Sequence, residues 1–197
     1  MFNRELLRGS PLEVAPRLLG ATLMAGLVTV RLTEVEAYLG VGEDPGSHSF
    51  RGRTNRNAVM FGDAGHLYAY FTYGMHVCAN VVCSPEGVSG GVLLRAGAVI
   101  EGEDVARERR ATSKRHTDLA QGPARLAVAL GITLADDGAD LETGRIRLDL
   151  APHPAPFVTG PRTGVSGDGG GAHYPWRFWI PGDPTVSRYK AHSPKKR

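Results

Sequence analysis

The residues best suited to chemistry begin with two glutamates at the end of an apolar alternation. Glu34, Glu36 and Tyr38 continue the face of a predicted strand whose earlier positions are apolar. An unpaired carboxylate is costly to bury, so this face must run from the core to a site or to a solvated edge. At a site, Glu36 could activate a water while the Tyr38 ring holds a flat substrate. At an edge, Glu36 would form a salt bridge with a surface arginine and Tyr38 would belong to the core.

A run of aromatic residues follows further along the chain. Tyr68 and Tyr70 share one face of a predicted strand, where aromatic side chains usually pack. Residues 73–76 form the predicted tip of a tight hairpin, where burial is difficult. Exposed Tyr73 and Met75 at such a tip would form a wedge that could enter a stack of bases. The preceding loop offers arginines for phosphates, namely Arg51, Arg53 and Arg56.

Three further polar residues have both a functional and a structural interpretation. His48 could be a ligand, a base or a loop anchor, but no second and third ligand stand at a suitable spacing, so a metal site is not predicted. Asn80 and Arg95 lie on apolar strands, where a buried polar group needs partners. Asn80 could hydrogen-bond a loop or line a pocket. Arg95 could also hydrogen-bond a loop, or it could contact a phosphate or orient a water.

The elements that must position these residues are mostly strands. Period-two alternation over 21–38 predicts the first strand region, and a long ordered loop over 40–65 follows it. Loops of that length in compact domains usually carry function. The other predicted elements are strands 66–73, 77–83, 91–98, 144–150 (an edge strand) and 176–180, helices 101–115 and 124–130, and a mobile surface loop over 151–174.

Composition bounds the class of protein. The chain has 197 residues and 42% hydrophobic content, which predicts one domain over 1–197 with a disordered basic tail at 193–197. A net charge of +3 and a pI near 9.0 permit a nucleic-acid partner. The N-terminus resembles no signal peptide, and no apolar run reaches the roughly 18 residues of a membrane span. We therefore expect an intracellular monomer that does not associate with membranes.

Several motifs, in the same order, closely resemble those of the 3-methyladenine (alkyladenine) DNA glycosylase family. They cover most of the chain: TEVEAYLG, DPGSHS, NRN, GHLYAYFTYGMH, NVV, VLLRA, QGPARL, PRTGV and PWRF. The resemblance implies an α+β fold, a single domain with a curved antiparallel β-sheet flanked by helices. This expectation agrees with the strand-rich middle of the sequence.

The resemblance also implies roles for the residues around the glutamates. Glu36 resembles the general base that activates the attacking water, and Arg95 resembles the arginine near that water and the DNA backbone. Tyr38, His48 and Tyr70 resemble the walls that grip a flipped base, with His48 offering hydrogen bonds to its edge.

Residues of the predicted hairpin also resemble functional residues of the family. Tyr73 resembles the side chain that intercalates into the gap left by the base, flanked by Met75 and His76. Asn80 resembles the residue that discriminates against the exocyclic amino group of normal guanine.

The implied activity is that of a base-excision-repair DNA glycosylase without a cofactor. Its partner would be double-stranded DNA with alkylated or deaminated purines: 3-methyladenine, 7-methylguanine and, as an open case, hypoxanthine. A cytoplasmic, nucleoid-associated location would follow. None of the four lysines, Lys114, Lys190, Lys195 and Lys196, falls in the candidate pocket. A strand-cleaving enzyme needs an amine nucleophile, so we predict a monofunctional enzyme that leaves an abasic site.

Other functions remain open at this point. Glu34 competes with Glu36 as the base, although it lies nearer the core end of the strand, where an ion pair is expected. A non-catalytic module that binds damaged DNA would keep the wedge but would not need Glu36. A hydrolase or transferase of small metabolites would have no use for an exposed tip at 73–76.

Overall fold

The computed structural model describes residues 1–72 and 74–193, so most of the predicted tail and Tyr73 lie outside the described residues. One antiparallel sheet dominates the described residues. Its strands are β1 (Thr22–Ala25), β2 (Val28–Tyr38), β3 (Leu67–Thr72), β4 (His76–Val82), β5 (Gly91–Glu101), β6 (Ile146–Asp149), β7 (Val158–Gly160) and β8 (Arg177–Trp179). The helices are α1 (Arg4–Leu7), α2 (Pro11–Leu18), α3 (Glu103–Arg109) and α4 (Pro123–Leu130), with 3-10 turns at Ala58–Phe61, His116–Asp118, Leu134–Asp136 and Asp168–Gly170.

The sheet branches at β2. The main path runs β3-β4-β5-β2-β1-β6, and β8 joins β2 while β7 pairs with β8. β2 therefore pairs with β5 along its length, with β1 near its start and with β8 near its end. The β2–β5 register shifts on either side of Glu34, and irregularities of this kind bend a sheet. The predicted α+β class with a curved antiparallel sheet is confirmed.

A tight turn divides the strand region predicted over 21–38. Gly26 has φ of +62°, a conformation that glycine adopts without steric cost, and it reverses the chain between β1 and β2. The two strands pair in register from Thr22 with Arg31 to Ala25 with Val28. The buried positions change phase at this turn, from Leu23 and Ala25 to Val28 and Val30, and the single alternation predicted over 21–38 overlooked this change.

Residues on both faces of β2 are buried. Val35 and Ala37 have no exposed surface, and neither do Glu34 and Glu36 on the opposite side. Helix α2 contacts this strand and contributes Val14 and Leu18 to the same core. A capping box explains where α2 begins: the side chain of Ser10 accepts from the third helical residue, and Glu13 reaches back to the backbone of Ser10. Carboxylates on such a strand require partners inside the protein.

Several predicted elements differ from the structure in extent. Helix α3 stops at Arg109, before Ala111, Thr112 and Ser113, because serine and threonine hydrogen-bond the backbone in ways that compete with a helix. The segment predicted as a mobile surface loop contains strand β7 and packs against the rest of the protein around Gly169. Helix α4 and the edge strand β6 occur where they were predicted. No helix in the described parts of the chain is long and apolar enough to cross a membrane.

Candidate active site

A cavity of about 300 Å³ opens beside the end of β2. Strands β2 to β5 form its base, and the segments 45–48 and 163–166 form its rim. The side chains used below that line it are Glu36, Tyr38, His48, Tyr68, Tyr70, Cys78, Asn80 and Arg95. Six of the nine residues predicted for the site line it, and they come from four strands and one loop.

Glu36 is the carboxylate that reaches the cavity. Its Oε1 accepts a hydrogen bond from the backbone N–H of Thr163 at 2.7 Å, and its Oε2 accepts one from the hydroxyl of Tyr38 at 3.0 Å. Arg95 Nε lies 3.5 Å from Oε1. These donors fix the orientation of the carboxylate, and each oxygen retains a lone pair for a further partner.

Glu34 has a different set of partners and does not line the cavity. It accepts hydrogen bonds from Arg177 Nε at 2.6 Å and from the backbone N–H of Ser187 at 2.7 Å. Arg95 Nε also lies 2.8 Å from its Oε1, although the angle is outside hydrogen-bond geometry, since Arg95 Nε has no hydrogen-bond partner. Glu34 therefore ties β2 to β8 and to the C-terminal segment.

Aromatic rings form one wall of the cavity. Tyr68 and Tyr70 are stacked with centroids 5.4 Å apart, and the His48 ring stands edge-on to Tyr70 at 4.6 Å. The hydroxyl of Tyr68 and Nδ1 of His48 are 3.1 Å apart and form a hydrogen bond. Tyr68 shares the strand face of Tyr70, but only Tyr70 was predicted as a site residue, because strand aromatics usually pack.

Burial keeps the titratable groups of this wall uncharged. Partial burial of the imidazole ring lowers the pKa of His48, and the Arg56 cation lowers it further, although the residue as a whole is exposed at the cavity rim. Burial raises the pKa of Tyr38, and the neighbouring Glu36 charge raises it further, so the Tyr38 hydroxyl stays a donor. Burial likewise raises the pKa of the Cys78 thiol to about 11.

A buried ion pair that the sequence analysis missed supports the rim. Arg162 and Asp44 have no exposed side-chain surface and form two hydrogen bonds of 2.6 Å each. Arg162 also donates to the carbonyl of Ala37 at 2.9 Å, between the two cavity residues of β2. Its guanidinium lies 4.4 Å from the centroid of the Tyr38 ring. The signal was present in the motifs DPGSHS and PRTGV, but nothing in the sequence paired them.

The glycine-rich turn at 167–171 packs onto this ion pair. The carbonyl of Gly169 accepts a hydrogen bond from Arg162 Nη2 at 2.8 Å. A Cβ atom at Gly169 would lie 2.5 Å from the backbone nitrogen of Gly46, so only glycine allows this approach. The turn thus holds the rim segment 163–166 over the cavity.

Asn80 and Arg95 occupy the interior side of the site. The amide of Asn80 donates to the carbonyl of Tyr68 at 3.1 Å, which leaves its oxygen available to the cavity. Arg95 is 10% exposed at its side chain and stands between the two glutamates. No cluster of three His, Cys, Asp or Glu side chains suited to a metal ion occurs in residues 1–72 and 74–193.

The hairpin between β3 and β4 projects from the protein beside the aromatic wall. Tyr73 lies outside the described residues, but Met75 is 68% exposed and His76 is also exposed. Phe71, which was not predicted as a site residue, is 46% exposed just before the tip. Arg56 donates to the carbonyl of Phe71 at 3.0 Å and lies 5.8 Å from the centroid of Tyr70, so it braces the hairpin.

Comparison with known proteins agrees with this arrangement. The family described as "Methylpurine-DNA glycosylase (MPG)" has a sequence model that matches residues 5–184. The chain is 59% identical over 198 residues to a "Putative 3-methyladenine DNA glycosylase" of Leifsonia xyli, covering 96% of this chain and 93% of the relative. Proteins of the same description from Streptomyces avermitilis and Nocardia farcinica are 54% and 55% identical, over 100% and 91% of this chain and 95% and 87% of theirs.

The match spans both halves of the site, from the glutamates of β2 to the rim segment that follows Arg162. The predicted resemblance is confirmed: this chain belongs to the methylpurine-DNA glycosylase family and is a DNA glycosylase.

Proposed function

We propose that the protein removes alkylated purines, 3-methyladenine and 7-methylguanine, from double-stranded DNA by water attack with Glu36 as the general base. One observation carries this proposal. A buried carboxylate, held by two hydrogen-bond donors, lines a cavity with aromatic walls beside an exposed hairpin. A cavity of about 300 Å³ has room for one base and not for a duplex. The damaged nucleotide must therefore leave the stack before it reacts.

The walls suit an electron-poor base. An alkylated purine carries positive charge, and the π faces of Tyr38, Tyr68 and Tyr70 attract such a cation. Neutral His48 and the oxygen of Asn80 lie where they can hydrogen-bond the edge of the base. Because this base is already cationic, it leaves readily and needs little acid catalysis.

The chemical step follows from the position of Glu36. Its carboxylate takes a proton from water as the water oxygen bonds to C1′ of the sugar. The bond between C1′ and the base nitrogen breaks, and its electron pair leaves with the base. Until the proton is transferred, the same negative charge stabilises the oxocarbenium-like sugar at the transition state. Arg95 beside it helps to hold the carboxylate in place. The product is an abasic site in an intact strand.

The exposed hairpin supplies the complementary step on DNA. We assign Tyr73, with Met75 and His76, the role of filling the gap that the extruded base leaves. Phe71 stands on the same projection and adds apolar surface to it. We further propose that the protein acts as a monomer of one glycosylase domain, with its substrate in the nucleoid. Hypoxanthine, a neutral lesion that needs more assistance in leaving, would be a slower substrate.

Monofunctional action is part of the same proposal. A strand-cleaving glycosylase needs an amine that attacks C1′. Neither of the described lysines, Lys114 and Lys190, lines the cavity that contains Glu36. We expect no covalent DNA adduct when borohydride is added during turnover.

Base release by Glu36→Gln tests the proposal. The variant and the wild type would be incubated with methylated DNA and with a duplex that carries one hypoxanthine, and abasic sites would then be cleaved with alkali. We expect at least a hundredfold loss of release with duplex binding retained, because general-base catalysis contributes roughly 10²–10⁴. Glu43→Gln is the matched control, since Glu43 is exposed and lies outside the cavity.

Two results would contradict the proposal. Strand breaks without alkali would show that the enzyme is not monofunctional. A wild type that binds the duplex but releases no base from either substrate would favour a non-catalytic module that binds damaged DNA.

A further inference from the structure

Asn57 is a buried polar residue in the long loop that carries His48. Only 1% of its surface is exposed, and it lies just before the 3-10 turn Ala58–Phe61. The proposed mechanism gives this residue no role. A buried amide needs partners for both its donor and its acceptor groups, and those partners show what the residue holds in place.

The side chain of Asn57 closes the loop onto itself. Its Nδ2 donates to the backbone carbonyl of His48 at 2.9 Å and to that of Gly52 at 3.0 Å. Its Oδ1 accepts a hydrogen bond from the backbone N–H of Thr54 at 2.6 Å. Among the described residues, no other group donates to the carbonyls of His48 and Gly52. One amide therefore fixes three points of a segment, 48–57, that contains neither a strand nor a helix.

The backbone of Asn57 connects His48 with another wall of the cavity. The carbonyl of Asn57 accepts a hydrogen bond from the N–H of Met60 at 3.0 Å, and His48 and Met60 both line the candidate active site. The neighbours of His48 in sequence, Ser47 and Ser49, are buried and form a hydrogen bond between their hydroxyls at 2.9 Å. The loop thus turns its serines inward and leaves His48 at the rim.

The ring of His48 has few contacts of its own that fix its direction. Its Nδ1 lies 3.1 Å from the hydroxyl of Tyr68, and the ring stands edge-on to Tyr70. One hydrogen bond and one edge contact allow the ring to pivot when its backbone moves. Hydrogen bonds weaken steeply when donor and acceptor are misaligned. The direction of the second ring nitrogen therefore depends on the His48 backbone, which Asn57 holds.

We infer that Asn57 is a positioning residue for base recognition, which fixes the backbone of His48 and so aims the imidazole at the edge of the extruded base. The inference rests on the proposed function, because it takes His48 as a hydrogen-bond partner of that base. Asn57 does not line the cavity, so it acts on the base only through His48.

The contribution of Asn57 should differ between neutral and cationic lesions. 7-Methylguanine is attracted by its positive charge to the π faces of the tyrosines, and this attraction depends less on exact direction than a hydrogen bond does. Hypoxanthine is neutral, so its recognition relies more on hydrogen bonds to its edge. Asn57 should therefore contribute more to the release of hypoxanthine than to the release of 7-methylguanine.

Substitution of Asn57 tests this difference. Asn57→Asp keeps the size of the side chain and the acceptor for Thr54, but it places an oxygen where Nδ2 donates to His48 and Gly52. Single-turnover rates with saturating enzyme give the ratio of hypoxanthine release to 7-methylguanine release. We expect this ratio to fall about tenfold relative to wild type, the effect of losing one hydrogen bond. Asn57→Ala removes the same donor without adding a charge and should lower the ratio in the same direction, even if the aspartate variant does not fold.

Asp136→Asn is the matched control, since it is also an exchange between Asp and Asn at a buried position. Asp136 is 6% exposed, is bonded to Thr133 and Arg145, and does not line the cavity. Its substitution should change both rates by the same factor, so the ratio should stay at the wild-type value. A His48→Ala background separates positioning from a general structural role, because Asn57→Asp should lower the ratio no further there.

NMR reports the position of His48 without base release. In protein with ¹³C-labelled histidine, the Hε1–Cε1 signal of His48 should move or broaden in Asn57→Ala and stay in place in Asp136→Asn. The inference is wrong if that signal is unchanged in Asn57→Ala, if the ratio of rates is unchanged in both Asn57 variants, or if Asn57→Asp lowers the ratio equally with and without His48. It is also wrong if wild type releases 7-methylguanine but no hypoxanthine, since no recognition of a neutral edge would then remain for Asn57 to support.

Failure of the proposed function gives a different result. A wild type that releases neither base would contradict the glycosylase mechanism. A displaced His48 signal in Asn57→Ala would then still support the positioning of His48 by Asn57, whereas an unchanged signal would contradict it as well.

Discussion

Glu34 and Glu36 lie two residues apart on one side of β2, yet only Glu36 reaches the cavity. Arg95 Nε touches both, at 2.8 Å from Glu34 and 3.5 Å from Glu36. The oxygens of Glu34 accept hydrogen bonds from Arg177 and Ser187. Those of Glu36 accept one hydrogen bond from a backbone N–H and one from the hydroxyl of Tyr38. The same residue type thus serves the fold at one position and faces the site at the other.

Substitution should distinguish the structural role of Glu34 from the role proposed for Glu36 in base release. Glu34→Gln leaves Arg177 without its buried counter-charge, so we expect the free energy of unfolding to fall by about 3 kcal/mol. Glu36→Gln keeps an oxygen that accepts from the N–H of Thr163, and its amide N–H can donate to the hydroxyl of Tyr38. It should therefore cost less stability while abolishing base release. Urea unfolding and single-turnover assays check both, and a Glu34→Gln variant as stable as wild type would contradict the assignment.

The buried ion pair of Arg162 and Asp44 should be needed for the stability of the protein and for the position of the cavity rim. Arg162→Met leaves a buried carboxylate, and we expect a loss of about 3 to 5 kcal/mol. The double variant Asp44→Asn/Arg162→Met removes both charges and should recover part of that stability but not the activity. A double-mutant cycle in urea measures the coupling, and additive losses would show that the pair does not interact.

Gly169 offers a test of the rim that changes no charge. Its substitution by alanine places a methyl group against the backbone of Gly46, so we expect the turn at 167–171 to shift and unfolding stability to fall by about 1 to 3 kcal/mol. Gly171→Ala is the milder comparison, because its φ of −80° suits alanine and its Cβ would lie 3.1 Å from the carbonyl oxygen of Asp168, against 2.5 Å for Gly169 and the nitrogen of Gly46. The two variants should differ in stability and in the rate of base release.

The charge state of His48 should depend on pH in a defined window. Because burial and Arg56 lower its pKa, the ring should titrate below the ordinary histidine value of about 6.5. The unfolded chain then binds the proton more tightly, so this group's contribution to stability is complete above about pH 6.5 and is lost as pH falls through the lowered pKa.

NMR titration of the His48 ring measures this directly, with the peptide DPGSHSF as the unfolded reference. Arg56→Gln should move the midpoint upward but not to the peptide value, since burial is the larger cause. A midpoint equal to that of the peptide would show that the ring is not enclosed.

Asn80 should influence which purines enter the cavity. Its amide nitrogen is held by the carbonyl of Tyr68, so its orientation is fixed. Asn80→Ser removes atoms from the wall and should allow slow release of guanine from undamaged DNA, while Asn80→Asp keeps the volume and should not. Release of free guanine, measured by chromatography, distinguishes the two variants.

The site residues that could be predicted from the sequence lie in regular strand patterns or in family motifs. Glu36, Tyr38 and Tyr70 follow a period-two alternation whose register predicts the face on which they lie, and the motif order supplied the family. Arg162 was missed as a site residue, because its partner Asp44 is distant in sequence and only the folded chain brings them together. Thr163 contributes a backbone N–H, a group that every residue except proline carries and that no side-chain pattern can mark.

The positions of Arg188 and Lys190 in the fold were also not predicted from the sequence. The basic tail predicted at 193–197 does not include them. The structure places them across a cavity from Arg125.

Burial of both faces of β2 has a consequence for the order of events on DNA. Amide protons in the centre of that strand should exchange with solvent only when the whole protein unfolds, whereas those at the tip of the β3–β4 hairpin should exchange quickly. The carboxylate and the ring beside it then belong to the most rigid part of the molecule and are in position before any encounter. Under the proposed function, the distortion that brings a base into the cavity would therefore fall on the DNA helix.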